Sequence, residues 1–146
     1  KDGLKIYNLY DDILNTIDHG IPQNRERWYC VGILREFDNK SFAFPPPLTP
    51  PVIGKFLQDD GNVDPEVPPF VQKVQSHVRG LGRDPDTANI IVYCDSTPPL
   101  KGSFLEDYSP CITRSRFKGH WITSKGRRFT FTEMLRLQGL NPATFK

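Results

Sequence analysis

The chain has 146 residues, of which 37% are hydrophobic and 25% charged, and a formal net charge of +2. That length suffices for one buried core, and no apolar run approaches the roughly 20 residues a bilayer-spanning helix needs, which excludes a helical membrane protein. The 3 cysteines (Cys30, Cys94, Cys111) and 3 histidines (His19, His77, His120) are scattered, whereas disulfide frameworks and zinc sites require clustered ligands.

No metal site is therefore expected, and the cysteines read as reduced. Two of the three lie in apolar surroundings, where a thiol behaves as a small hydrophobe. Reduced cysteines lead to the expectation of an intracellular setting, nuclear in a eukaryote and cytoplasmic in a bacterium. The start at Lys1-Asp2-Gly3 and the end at Thr144-Phe145-Lys146 read as internal to a longer chain. Charge is unevenly placed: residues 1–100 hold 10 Lys/Arg against 14 Asp/Glu, and residues 101–146 hold 9 against 3. Such polarity suits a face aimed at a polyanion, and equally a merely solvated basic surface.

In chain order, Tyr7 to Ile17 fits either helix or extended chain, and His19-Gly20-Ile21-Pro22 breaks it. Trp28 to Ile33 is short, apolar and rich in aromatic and β-branched residues, which predicts a buried strand. Phe44 to Pro51 contains 5 prolines, which remove donors and fix φ, so it reads as a stiff extended connector. Asp59-Asp60-Gly61-Asn62 marks a surface turn.

Pro68-Pro69 opens a predicted helix with Phe70, Val74 and Val78 at four-residue spacing and Gly80 as its stop. Asn89 to Cys94 is another predicted strand, ended by Ser96-Thr97-Pro98-Pro99. Near the C-terminus, Thr130 followed three residues later by Glu133 is a capping box. Met134, Leu135, Leu137 and Leu140 give that helix an apolar side, and Gly139 and Pro142 close it.

Gln23-Asn24-Arg25-Glu26-Arg27 leads straight into the strand at Trp28. With period two, Gln23, Arg25 and Arg27 project from one face, a donor-rich row suited to phosphate or carbonyl oxygens. A polar strand edge salt-bridged by Glu26 is the plainer alternative. Farther on, Arg114, Arg116, Lys118 and Lys125 interleave with Phe117, His120 and Trp121. That composition suits a DNA-facing loop, and equally a surface hairpin whose aromatics pack inward.

The stretch from Asp11 to Ile33 resembles a segment of the DNA (cytosine-5)-methyltransferases. The matching residues are Leu14-Asn15, then Gly20-Ile21-Pro22-Gln23 with Arg25 and Arg27, then Val31-Gly32-Ile33; Phe44-Pro45 follows at about the usual distance. A second match, Gly126 to Gly139, is similar to that family's Arg-x-Leu-Thr-x-x-Glu-x-x-Arg-Leu-Gln-Gly, with Phe129 in place of leucine. Ser109 to Arg116 looks like the segment that often precedes it.

The resemblance implies an α/β fold, a partial Rossmann-like S-adenosylmethionine-dependent methyltransferase with a small mixed target-recognition region. Residues 1–36 would be the last strands of the catalytic domain, 37–108 the recognition region, and 109–146 a basic DNA-facing segment with a helix returning to the catalytic domain. The substrate would be double-stranded DNA, from which a cytosine is flipped. A cysteine thiolate adds to C6, and C5 then takes the methyl of S-adenosylmethionine.

Arg27 would contact O2 of the flipped base, a contact that helps only if it strengthens in the transition state. Arg25, with Gln23 beside it, would hold the active-site loop and the neighbouring phosphate backbone. Arg114, Arg116, Lys118 and Lys125 would face DNA, and Glu133 and Arg136 would pack and pair rather than catalyse.

The family's Phe-x-Gly-x-Gly cofactor loop, Pro-Cys nucleophile loop, Glu-Asn-Val and late Gly-Asn are absent from these residues. No residue here is assigned to the cofactor, which an upstream part would bind. Pro110-Cys111 lies after the Gln-x-Arg-x-Arg stretch and lacks a following glutamine, so Cys111 is not taken as the nucleophile. The chain reads as the C-terminal part of an active enzyme; a catalytically inactive or split DNA-binding subunit is the alternative.

Overall fold

The computed structural model describes residues 6–94, 102–114 and 118–144. Within them the chain is mixed α/β, with strands grouped in three sheets. The opening segment resolves as β1 (Tyr7–Asn15), extended rather than helical. It pairs antiparallel with β3 (Glu26–Leu34), from Tyr7 opposite Leu34 to Asn15 opposite Glu26. Between them the side chain of Asn15 accepts from the Ile17 N–H and caps a 3-10 turn at Thr16–His19. Gly20 ends that turn at φ +88°, a left-handed conformation that costs glycine little.

The strand expected at Trp28–Ile33 is present but not buried: Trp28 is 66% exposed and Tyr29 45%. Among the described residues its strand partner is β1 alone. On one face of this ribbon Leu9, Ile13 and Trp28 are exposed. On the other, Tyr10 meets Phe42, which in turn meets Phe44 edge-on, each pair with ring centroids 5.1 Å apart. The proline-rich connector that follows has no regular structure and is tied back by the Leu48 N–H donating to the Asp18 carbonyl at 2.7 Å.

The main core lies farther along. Helix α1 (Pro69–Gly80) starts with proline in its first turn, as its missing N–H allows. It ends at the expected Gly80, with Leu81 as its C-cap, and Gly82 just beyond, at φ +76°, donates its N–H to the Arg79 carbonyl. The strand expected near 89–94 is β4 (Ile90–Val92). It is central in a four-stranded antiparallel sheet completed by β5 (Phe104–Glu106), β7 (Trp121–Ile122) and β8 (Arg127–Arg128), in the order β5-β4-β7-β8.

Period-two alternation divides the core of this sheet. Ile90, Val92 and Trp121 face Val71, Val74 and Val78 of α1. Ile91 and Ile122 face the other way, onto Ile53, Phe129 and Leu137. Each fully buried aliphatic side chain here contributes roughly 1.5–3 kcal/mol relative to exposure. Leu137 belongs to α2 (Phe131–Leu137), whose capping box forms as expected: Thr130 Oγ1 accepts from the Glu133 N–H, and the Glu133 carboxylate from the Thr130 N–H. Leu140, expected on the apolar side, is 41% exposed beyond the helix end.

The ribbon and the sheet meet through a parallel pair, β2 (Gln23–Asn24) with β6 (Ser109–Pro110). Ser109 is buried and its N–H donates to the Pro22 carbonyl at 2.7 Å.

Candidate active site and nucleic-acid interface

Gln23 to Arg27 do not form one continuous strand. The backbone pairs with β6 through Asn24 and with β1 from Glu26 onward, changing partner at Arg25. Asn15 holds the junction: its Oδ1 accepts from the Arg25 N–H at 3.1 Å and its Nδ2 donates to Asn24 Oδ1 at 2.7 Å. Thr16 adds two bonds, its N–H to the Arg25 carbonyl and its hydroxyl to the Gln23 carbonyl.

The three side chains expected as a single donor row divide by burial and partner. Gln23 is 1% exposed, and its Nε2 donates to the Leu137 carbonyl at 3.0 Å. Arg25 Nη1 donates to Gln138 Oε1 at 2.5 Å. Both therefore grip the C-terminal turn of α2, where carbonyls lack helical partners and a cation is favoured. Arg27 alone is exposed. Its Nη1 donates to the Glu26 carbonyl at 2.6 Å and its Nη2 to Cys111 Sγ at 3.7 Å. Among the described residues no carboxylate pairs with Arg25 or Arg27, so the salt bridge to Glu26 does not form.

Beneath α2 lies a buried ion pair. Glu133 is fully buried and Arg127 4% exposed. The guanidinium meets the carboxylate in a two-pronged contact, and the Gln58 and Thr130 N–H groups complete the oxygens at 2.6 and 2.8 Å. Arg127 also donates to Asp60 Oδ1 at 3.2 Å and the Gln58 carbonyl at 2.9 Å. Burial pushes the Glu133 pKa up, but the bonds from Arg127, Gln58 and Thr130 outweigh it and hold it below the usual glutamate value. Glu133 thus packs and pairs, and Arg136 donates to the Phe56 carbonyl at 3.4 Å.

Of the basic residues expected to face DNA, Arg114 and Lys118 are exposed. Lys125 sits on the β7–β8 turn with its ammonium 3.0 Å from Asp59, so part of its charge is already met. Arg116 and the adjacent Phe117 lie outside the described residues. His120 and Trp121 are 0% and 1% exposed, and His120 sits edge-on to Tyr93 and Phe129. For these two aromatics the inward-packing hairpin is what forms.

Two residues were missed. Asn15 is the hinge of the junction, for which its place in the Leu-Asn pair was a signal. Cys111 beside Arg27 had none, because 84 residues separate them. Cys30 is exposed and Cys94 half-buried, so the cysteines are less enclosed than their neighbours suggested. Among the described residues no cluster of His, Cys, Asp or Glu is placed to hold a metal ion, and no helix is long and apolar enough to cross a membrane.

A strand ribbon ending in exposed Arg27, with Gln23 and Arg25 locked onto a capped Arg-Leu-Gln-Gly helix, joins both matched stretches in one arrangement. The model of the C-5 cytosine-specific DNA methylase family matches residues 2–146, and the chain belongs to that family. Among its relatives, the type II methyltransferase M.NgoBI of Neisseria gonorrhoeae is 33% identical over 135 residues, covering 91% of this chain and 40% of that protein. The type II methyltransferase M.HaeII of Haemophilus aegyptius is 32% identical over 145 residues, with 96% and 42% covered. M2.ScrFI of Lactococcus lactis subsp. cremoris, also a type II methyltransferase, is 31% identical over 153 residues, with 95% and 36% covered. The chain therefore spans about two fifths of the length of these relatives.

Proposed function

We propose that this chain is the target-recognition and C-terminal part of a DNA (cytosine-5)-methyltransferase acting on double-stranded DNA, and that Arg27 contacts O2 of a flipped cytosine. The observation that carries the reading is the state of the Arg27 guanidinium. It is exposed and bonded to two neutral acceptors, the Glu26 carbonyl and Cys111 Sγ, so its full positive charge is available to a ligand. Arg25 is engaged by Gln138 and Gln23 is buried against Leu137, which suits them to hold the site in shape rather than to meet the base.

A guanidinium N–H at O2 would draw electron density from the pyrimidine and favour nucleophilic addition at C6, stabilising the charge that develops there. β1 and β3 would belong to the Rossmann-like catalytic domain, β4 and β5 to the recognition region at 37–108, and β7 and β8 to the DNA-facing segment at 109–146. Arg114, Arg116 and Lys118 would meet phosphates, with Lys125 in a lesser role.

The methyl donor would be S-adenosylmethionine, but the residues described here do not fit it. The apolar cleft between the ribbon and Phe42 to Leu48 is lined by no acidic side chain, and neither it nor the adjoining cleft at Asp12 and Asp18 is lined by a glycine-rich turn. Those are the groups that receive ribose hydroxyls and approach a nucleotide closely.

The test is Arg27→Ala in the full-length enzyme that carries this chain. Methyl transfer to cytosine should fall by about 10²–10³-fold, while duplex affinity measured by gel shift stays near the unmodified value. A variant that methylates at the unmodified rate overturns the assignment.

A further inference from the structure

An exposed arginine is a long, flexible side chain, and a base-contacting guanidinium must be held in place before the base arrives. One of Arg27's two anchors, the Glu26 carbonyl, belongs to its own strand and moves with it. The other is Cys111 Sγ, on a different part of the chain.

Cys111 is well placed for this. It directly follows β6, whose Ser109 and Pro110 lie opposite Gln23 and Asn24. Ser109 is fully buried, and its hydroxyl donates to the Pro110 carbonyl at 2.8 Å. The Ile112 carbonyl oxygen, 3.9 Å from the sulfur, offers an acceptor for the thiol hydrogen. The sulfur lone pairs are thereby left to accept from Arg27 Nη2, the donor–acceptor division a neutral thiol allows.

We propose that Cys111 is a positioning residue for Arg27: its sulfur fixes the guanidinium beside the β2–β6 pair, where the target base is read. It acts as an acceptor and not as the attacking thiolate. The proposal rests on the reading of Arg27 as the base-contacting residue.

The experiment uses the full-length enzyme with Cys111→Ala, Cys111→Val, Cys111→Ser, Arg27→Ala and the double variant Arg27→Ala/Cys111→Val. Single-turnover methyl transfer, duplex affinity and thermal midpoint are read for each. Alanine and valine, which offer no acceptor, should slow single-turnover transfer by about 10- to 100-fold. Duplex affinity should stay within about threefold, because phosphate contacts dominate it. Valine is larger than cysteine, so its loss cannot be ascribed to a cavity. Serine, which restores an acceptor, should recover most of the rate.

With Arg27 already removed, Cys111→Val should cost nothing more. An unmodified rate in both Cys111→Ala and Cys111→Val, a serine variant as slow as the valine one, or a further loss in the double variant overturns the positioning role. Unmodified activity in Arg27→Ala instead overturns the base-contact reading itself, so the two failures are separable.

Discussion

Arg127 and Glu133 form a buried two-pronged ion pair, with Nη1 and Nη2 each 2.9 Å from a different carboxylate oxygen. The pair joins β8 to α2 and, through Gln58 and Asp60, fastens the loop before α1. Its contribution to stability is not the gross attraction, because desolvating both charges offsets most of that. Breaking it is the costly event.

Glu133→Ala, which leaves the Arg127 guanidinium buried beside no carboxylate but Asp60, should destabilise the fold by about 3–5 kcal/mol. The double change Arg127→Met/Glu133→Leu should recover much of that loss. Urea unfolding of the unmodified protein and the two variants checks both; a double variant as unstable as Glu133→Ala would show that the polar contacts to Gln58 and Thr130 dominate.

The same carboxylate sets an acid limb. Its folded pKa is depressed below the ordinary 4.5, so its contribution is complete above that value and is lost as pH falls through the lower folded one. Urea midpoints should therefore drop on acidification from about pH 5 downward. Glu133→Gln, already weaker at neutral pH, should show a shallower drop.

At the junction, Arg25 and Gln138 should be energetically coupled. A double-mutant cycle with Arg25→Ala and Gln138→Ala should give a coupling of about 0.5–1.5 kcal/mol in stability. Strict additivity would mean that the 2.5 Å contact contributes nothing measurable.

For DNA binding by the full-length enzyme, Arg114→Ala and Arg116→Ala should each weaken duplex affinity and reduce the slope of log K against log salt by about 1. Lys125→Ala should change it less, because Asp59 already meets that ammonium. An unaltered slope for Arg114→Ala would place that side chain away from the phosphates.

Local features were the legible ones. The capping box at Thr130 and Glu133, the proline-started helix and the strand at Ile90 depend on residues a few positions apart, and all three form. Tyr7 to Ile17 was ambiguous because its pairing partner, β3, decides it. The exposure of Trp28 could not be read at all, since composition reports a strand's affinity for a core and not whether one covers it. The site was legible in part: Arg27 stood out, but its division from Gln23 and Arg25 depends on contacts more than a hundred residues apart in sequence. The Arg127–Glu133 pair was hidden because β8 and α2 are brought together across the short connection at Phe129-Thr130 rather than by helical spacing.

The two-residue pairing of β2 with β6 has one more consequence. Asn24 lies opposite Pro110, so the chain, having run through the connector, α1 and most of the sheet, returns to within one strand spacing of where it departed. A segment whose ends are held side by side can lengthen, shorten or be exchanged at its outer turns at little entropic cost. Arg27 stays held meanwhile by its pairing with Leu14 and by its bonds to the Glu26 carbonyl and Cys111 Sγ. Different outer loops could therefore be grafted between Leu34 and Ser109 around one unmoving arginine.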